Sequence, residues 1–171
     1  VKVIPTRIAG AFLIEPERVA DERGFFLRTF SEEEFRAYGI EMHVREAGLS
    51  FSPRKGTLRG MHYQAGADAE AKLVRCTRGS VYDVIVDLRD GSWFGVELSE
   101  EMPRMLYVPR GMAHGLLTLA GGTEVTYLLS KEYRAEAAAG VRWNDPAFAI
   151  EWPIEVQVIS ERDRSWPDFK R

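Results

Sequence analysis

The chain has three histidines, His43, His62 and His114. Two of them stand in glycine-flanked segments beside β-type runs: His62 in RGMHYQ (residues 59–64) and His114 in PRGMAHG (residues 109–115). On a strand, side chains at i and i+2 share a face, so His62 and Gln64 point together while Met61 and Tyr63 point the other way. A polar pair on one strand face suggests the wall of a cavity. In KLVRC, Lys72 shares a face with Val74 and Cys76, which sets one ammonium on an otherwise apolar strip. Inside a barrel such a group needs an anionic partner or ligand. Tyr127, in TEVTYLL, shares a face with Val125 and Thr123 and can also face inward. Each residue alone has an ordinary structural explanation. A lone strand histidine is more often a satisfied structural group than a catalyst, a lysine usually snorkels, and Arg59 beside Gly60 can bond to turn carbonyls. Taken together, a base, a phenol, a lysine and several arginines suit removal of a proton beside a carbonyl.

Short β-type runs must position this set. LVRCT, VYDVIVDL, WFGVEL, RMLYVP, HGLLTL and TEVTYLL follow one another with turn residues such as RGS, RDGS and AGG between them. Closely spaced strands with that punctuation predict a sandwich or barrel. SEEEFRAYG predicts a short surface helix, with Ser31 as cap, Glu34 completing a capping box and Gly39 as the stop. The alanines of KEYRAEAAAG (residues 131–140) suggest a second helix. The closing ISERDRSWPDF is expected to fold back onto the barrel.

At 171 residues the chain is long enough for a sizeable core and short for two domains, so a single domain over residues 1–171 is expected. No repeat or low-complexity linker marks a boundary. A net charge of −3 gives no global reason to expect nucleic acid or an anionic membrane as partner. An anionic ligand must therefore meet a local basic cluster. The single Cys76, within an apolar run, reads as a small core residue in a reducing compartment. Without a signal-peptide pattern or a long apolar stretch, a soluble cytoplasmic protein is expected.

RGMHYQ, EAKLVRCTRGSVYDVIVDLR, LYVPRGMAHGLLTL and WNDP, in that order and with DERGFF near the start, resemble the dTDP-4-dehydrorhamnose 3,5-epimerases, sugar-nucleotide epimerases of the cupin superfamily. The resemblance covers almost the whole chain. It implies an all-β fold, a cupin jelly-roll barrel with additional N-terminal strands and a few short helices, usually a homodimer. It also implies a reaction: protons at C3 and C5, which flank the C4 ketone of a dTDP-linked 4-keto-6-deoxy sugar, are removed and returned from the opposite face. No cofactor or metal is needed. The family's base in RGxHxQ matches His62, and its orienting aspartate in a late S-x-x-D matches Asp163. Its acid tyrosine, thirteen residues beyond the histidine of AHG, matches Tyr127. Its lysine matches Lys72, where an ammonium would stabilise charge developing on the C4 oxygen. For the diphosphate the resemblance implicates Arg23, Arg59, His114 and Arg162, and for the nucleotide's base Tyr133.

Several positions depart from the family pattern. Arg28 stands where a glutamate is usual, Glu46 and Gly48 where glutamine and asparagine are, and Ala135 and Ala138 where proline and glutamate are. The segment DGSWFGVELS is shorter than its counterparts. These departures gather on substrate recognition and spare the proton-transfer set, so the nucleotide, the sugar and the carbon inverted stay open. Two other readings remain. PRGMAH also matches the second cupin motif of metal-dependent oxygenases and isomerases, but Gln64 stands where a second histidine would be needed, leaving His62, His114 and Glu70 as a poor ligand set. A non-catalytic sugar-nucleotide binding module on the same barrel is the other.

Overall fold

A computed structural model describes residues 1–170. The chain runs through β1 (Lys2–Pro5), β2 (Phe12–Glu15), β3 (Arg18–Asp21), β4 (Gly24–Leu27), α1 (Glu32–Ala37), β5 (Glu46–Ser52), β6 (Thr57–Gln64), β7 (Lys72–Arg78) and β8 (Ser80–Asp87). It continues through β9 (Trp93–Ser99), β10 (Met105–Val108), β11 (Met112–Thr118), β12 (Thr123–Leu129), β13 (Ala138–Gly140), β14 (Val158–Ile159) and α2 (Glu161–Arg164). One sheet has the order β1-β2-β10-β7-β12-β5; the other has β13-β6-β11-β8-β9, with β14 lying parallel on β6. This is the jelly-roll barrel expected, with N-terminal strands added to one sheet and β3–β4 forming a separate hairpin. No helix among the described residues is long and apolar enough to cross a membrane.

The alternation seen in the sequence sorts the side chains. Val74 and Cys76 of β7, Ile85 of β8, Leu116 of β11 and Val125 of β12 form the core between the sheets. Their neighbours face outward under covering segments. Leu73 packs beneath α1 with Phe35, Ile40 and Met42, while Met61, Val84 and Val86 pack beneath the C-terminal segment with Phe148. Each fully buried side chain of this size contributes about 1.5–3 kcal/mol by leaving water. Leu116 and Tyr127 touch the inner core and also line the cavity, so the packed end of the barrel is the floor of the open end.

The first helix forms where the sequence places it. Ser31 caps α1 by accepting from the Glu34 amide at 3.4 Å, while the Glu34 carboxylate lies 3.7 Å from Arg28. Phe35 is wholly buried and anchors the element. The second expected helix does not form. Residues 131–140 leave β12 in turns and close as β13 on the edge of β6, pairing Ala138 with Gln64 and Gly140 with His62. The Gln64 side chain draws this segment in, accepting from the Arg134 amide at 2.6 Å and donating to the Glu132 carbonyl at 3.2 Å. Alanine's helix preference, a few tenths of a kcal/mol per residue, is too small to resist an open strand edge.

One close approach sets the site. Strands β6 and β11 bring His62 and His114 into register, and the register then shifts by one, Leu116 pairing with Arg59, so that the extra residue lies on β6. A Cβ on Gly60, whose φ is +133°, would come 2.5 Å from the Gly115 Cα and 2.9 Å from the His114 carbonyl oxygen. Only glycine allows both that backbone conformation and that contact. Gly60→Ala is therefore expected to cost about 2 kcal/mol or more in chemical denaturation, because backbone strain and overlap add. A loss below about 0.5 kcal/mol would show that the two strands are free to separate.

Candidate active site

The open end of the barrel is a cavity of about 710 Å³ whose wall is drawn from both sheets. His62, Arg59 and His114 come from β6 and β11 of one sheet, and Lys72 and Tyr127 from β7 and β12 of the other. Asp163 and Arg162 reach it from α2.

His62 Nε2 lies 2.6 Å from Asp163 Oδ1, and the second carboxylate oxygen accepts from the Gly60 amide at 3.0 Å. The S-x-x-D pattern has a local cause. Ser160 caps α2 by accepting from the Asp163 amide at 3.1 Å, while β14, parallel to β6, delivers the helix to the cavity rim. Asp163 is buried and His62 half-exposed. With Nε2 committed to the carboxylate, Nδ1 is the ring nitrogen that can take a proton, and a carboxylate in this position can stabilise an imidazolium.

Burial pushes the Asp163 carboxyl up, but the His62 ring and the Gly60 amide outweigh it and hold the group below its ordinary value. A depressed carboxylate adds stability above its unfolded pKa and loses it as pH falls through the folded one. Wild-type stability is therefore expected to drop as pH falls below about 4. Asp163→Asn should flatten that drop in acid denaturation; an unchanged profile would show that Asp163 is not the group responsible.

Lys72 is almost fully buried, 3.1 Å from Glu70 Oε1, and donates to the His62 carbonyl at 3.3 Å. An ammonium has three donors, so the third is available to an oxygen in the cavity. The Glu70 carboxylate supplies the counter-charge that a buried lysine requires, and also accepts from the Gln64 amide at 3.2 Å.

The Tyr127 hydroxyl shares a hydrogen bond of 2.9 Å with Ser50 Oγ. Burial pushes the phenol up to about 12, against the pull of the Ser50 hydroxyl, so it carries its proton at neutral pH. Its ring meets His114 edge-on at 6.3 Å between centroids. His114 is buried and bonded through Nε2 to the wholly buried Asp83 at 2.8 Å. A second histidine–carboxylate pair thus borders the same cavity.

Arg59 is held at the mouth by bonds to Ser52 Oγ and the Phe51 carbonyl, at 3.2 and 3.0 Å. Arg162 lies 5.3 Å over the Trp166 ring. With Lys131 they form the local basic cluster that the chain's net negative charge demands of an anion-binding site. Tyr133 is exposed at the rim, its amide donating to Glu46 at 3.2 Å. Glu46 reaches the site only through that contact and is not in the cavity wall. Arg23 and Arg28 also lie outside the wall: Arg23 pairs with Asp21 at the tip of the β3–β4 hairpin, and Arg28 faces Glu34. Among the described residues, no three His, Cys, Asp or Glu side chains converge as metal ligands.

Sequence reasoning passed over Ser50 and Asp83 and weighed Glu70 only as a metal ligand. Asp83 had a signal, a charge sharing the inward face of β8 with Val81 and Ile85. Glu70 had another, since it precedes Lys72 by two residues.

The profile of the dTDP-4-dehydrorhamnose 3,5-epimerase family matches residues 5–171. An epimerase of that name from Methanothermobacter thermautotrophicus is 42% identical, covering 99% of this chain and 95% of that protein. The crystal structure of the Bacillus anthracis epimerase, with TDP and pyrophosphate bound, is 39% identical with a TM-score of 0.93, covering 98% of both chains. ChmJ, a 3′-monoepimerase from Streptomyces bikiniensis in complex with dTDP-quinovose, is 32% identical with a TM-score of 0.89, covering 97% of this chain and 87% of that one. With the family matched over nearly the full length, on the same fold and with RGxHxQ, Lys72, Tyr127 and Asp163 gathered at one cavity, the chain belongs to the dTDP-4-dehydrorhamnose 3,5-epimerases, a family of isomerases.

Proposed function

We propose that this protein inverts C3, C5 or both of a 4-keto-6-deoxy sugar carried on a nucleoside diphosphate, with dTDP-4-dehydro-6-deoxyglucose as the family's substrate. One observation carries the proposal. A carboxylate-supported imidazole on one sheet and a neutral phenol on the other border the same cavity. Inversion needs a base on one face of the sugar ring and an acid on the other.

His62 removes the proton beside the C4 ketone, and the C–H electron pair moves into an enolate with its charge on the C4 oxygen. The third N–H of Lys72 meets that oxygen, the role an oxyanion-hole donor plays elsewhere. Tyr127 then protonates the carbon from the opposite side. The acid and the base each contribute on the order of a hundred-fold or more. Arg59, Arg162 and His114 take the diphosphate, the guanidinium groups through paired hydrogen bonds, and Tyr133 stacks on the nucleotide's base.

We infer that the working unit is a cytoplasmic homodimer. Val19, Phe25 and Phe26 stand 61, 55 and 63% exposed on the β3–β4 hairpin, and Leu49 and Phe51 are exposed on edge strand β5. Apolar surface of that kind is where a second copy docks, and Arg23 at the hairpin tip would then meet the partner's cavity. Sedimentation is expected to give twice the chain mass, and replacing both Phe25 and Phe26 with aspartate should halve it. A wild-type monomer would remove Arg23 from the proposed site.

Recognition of the nucleotide is where the chain departs from its family. Gly48 and Ala138 leave parts of the wall without a polar side chain. Incubation with dTDP-, CDP-, GDP- and UDP-linked 4-keto-6-deoxyglucose, with product configuration read by NMR, tests the proposal. An inverted product, fastest with dTDP, is expected; no inversion with any of the four would refute it.

A further inference from the structure

We propose that Ser50 is the positioning residue of the acid step: its hydroxyl orients the Tyr127 phenol and returns the proton that the phenol gives away. This deepens the epimerase reading and rests on Tyr127 as the acid.

Register and packing point to it. Strand β5 pairs with β12 so that Gly48 lies opposite Tyr127 and Ser50 opposite Val125. A side chain at position 48 would stand directly across from the tyrosine; glycine leaves that space open, with nothing within 4 Å of where a Cβ would be. The phenol reaches along the strand to Ser50 instead, and the two oxygens meet at 2.9 Å on the cavity wall. The rest of the tyrosine is enclosed by the apolar core and by the edge of His114. Ser50 is half-buried on an edge strand. It can therefore bond to Tyr127 on one side and to water on the other.

Ser50 has two tasks. Before the reaction, by donating to the phenol oxygen, it leaves the Tyr127 O–H to point at the sugar carbon. During it, the Tyr127 O–H bond breaks and a C–H bond forms at the enolate carbon, leaving a phenolate. Burial disfavours that anion and the Ser50 hydroxyl favours it, while Asp83 opposes it and Arg59 supports it. The phenolate takes the Ser50 proton as Ser50 takes one from water. The proton that His62 removed passes to solvent, so each inversion exchanges one sugar proton for one solvent proton.

Heavy-water turnover by Ser50→Ala, Ser50→Thr, Tyr127→Phe and the Ser50→Ala/Tyr127→Phe double variant tests this. In Ser50→Ala, inversion is expected to slow on the order of ten- to a hundred-fold, the worth of one hydrogen bond to a charged oxygen. Deuterium uptake driven by His62 should fall much less, and KM should change little. Ser50→Thr, which keeps the hydroxyl, should restore the ratio of inversion to uptake. In the Tyr127→Phe background, loss of Ser50 should change that ratio no further. Equal losses of uptake and inversion in Ser50→Ala, no rescue by threonine, or an undiminished effect in the Tyr127→Phe background would overturn the Ser50 role alone. Wild-type inversion by Tyr127→Phe would instead remove the acid, and the Ser50 role with it. No uptake by the wild-type protein would remove the epimerase reading as a whole.

Discussion

Replacing His62 with alanine is expected to cut deuterium uptake from heavy water by on the order of a thousand-fold at C3 and C5 alike. Both protons are acidic for the same reason, the shared C4 ketone, and Asp163 supports one imidazole on the wall that would face them. A single base serving both carbons predicts parallel losses. The substitution leaves the buried Asp163 without its ring partner, with the Gly60 amide still donating to it, so about 1–3 kcal/mol of stability is at risk. His62→Gln, whose amide nitrogen extends to the place of Nε2, keeps a donor for that carboxylate and separates the two effects: it should fold like the wild type and be as inactive as the alanine variant. Uptake at one carbon that survives both variants would assign that carbon to another base, and the His114–Asp83 pair is placed to supply one.

Tyr127→Phe is expected to give the second largest effect and a different pattern. The change removes one oxygen and keeps the ring that packs against the inner core and the His114 edge, so the fold should hold. Inversion should fall about a hundred-fold or more, the usual worth of a positioned acid. Uptake at the carbon first attacked should fall far less, since His62 can return a solvent proton to the face it came from. Because burial holds the phenol near 12, the wild-type inversion rate should show no alkaline decline from Tyr127 between pH 7 and pH 10. Uptake and inversion lost together would show that the phenol assists proton removal instead.

Much of the fold was legible in the chain. The period-two alternation of β6, β7 and β12 set His62, Lys72 and Tyr127 on inward faces, and the same alternation put Met61 and Leu73 outside. The cap at Ser31 marked α1. What periodicity missed depends on contacts distant in sequence. Asp163 lies 101 residues from His62, and only the S-x-x-D likeness pointed to it. Residues 131–140 had the composition of a helix, yet the Gln64 side chain holds their turns and the free edge of β6 takes Ala138–Gly140 as a strand. Ser50 carries no pattern of its own; its meaning comes from the register of β5 on β12. Arg23, matched by motif, and Arg28, a departure from the family pattern, lie on surfaces that strand alternation does not describe.

The departures at Gly48, Glu46 and Ala138 now have places in the structure. Gly48 and Ala138 are in the wall, and Glu46 fastens the segment carrying Tyr133. Glu46 and Ala138 border the region proposed for the nucleotide and stand apart from the His62–Asp163 pair, whereas Gly48 lies opposite Tyr127 in the β5–β12 register.

The most direct test is the mass and NMR spectrum of dTDP-4-dehydro-6-deoxyglucose after incubation with the wild-type protein in heavy water, with the other nucleotide forms run beside it. Deuterium at C3, C5 or both, accompanied by inversion at the labelled carbon, is the expected result. Sugar recovered without deuterium from every nucleotide form would contradict an epimerase and leave a cavity that binds without catalysis.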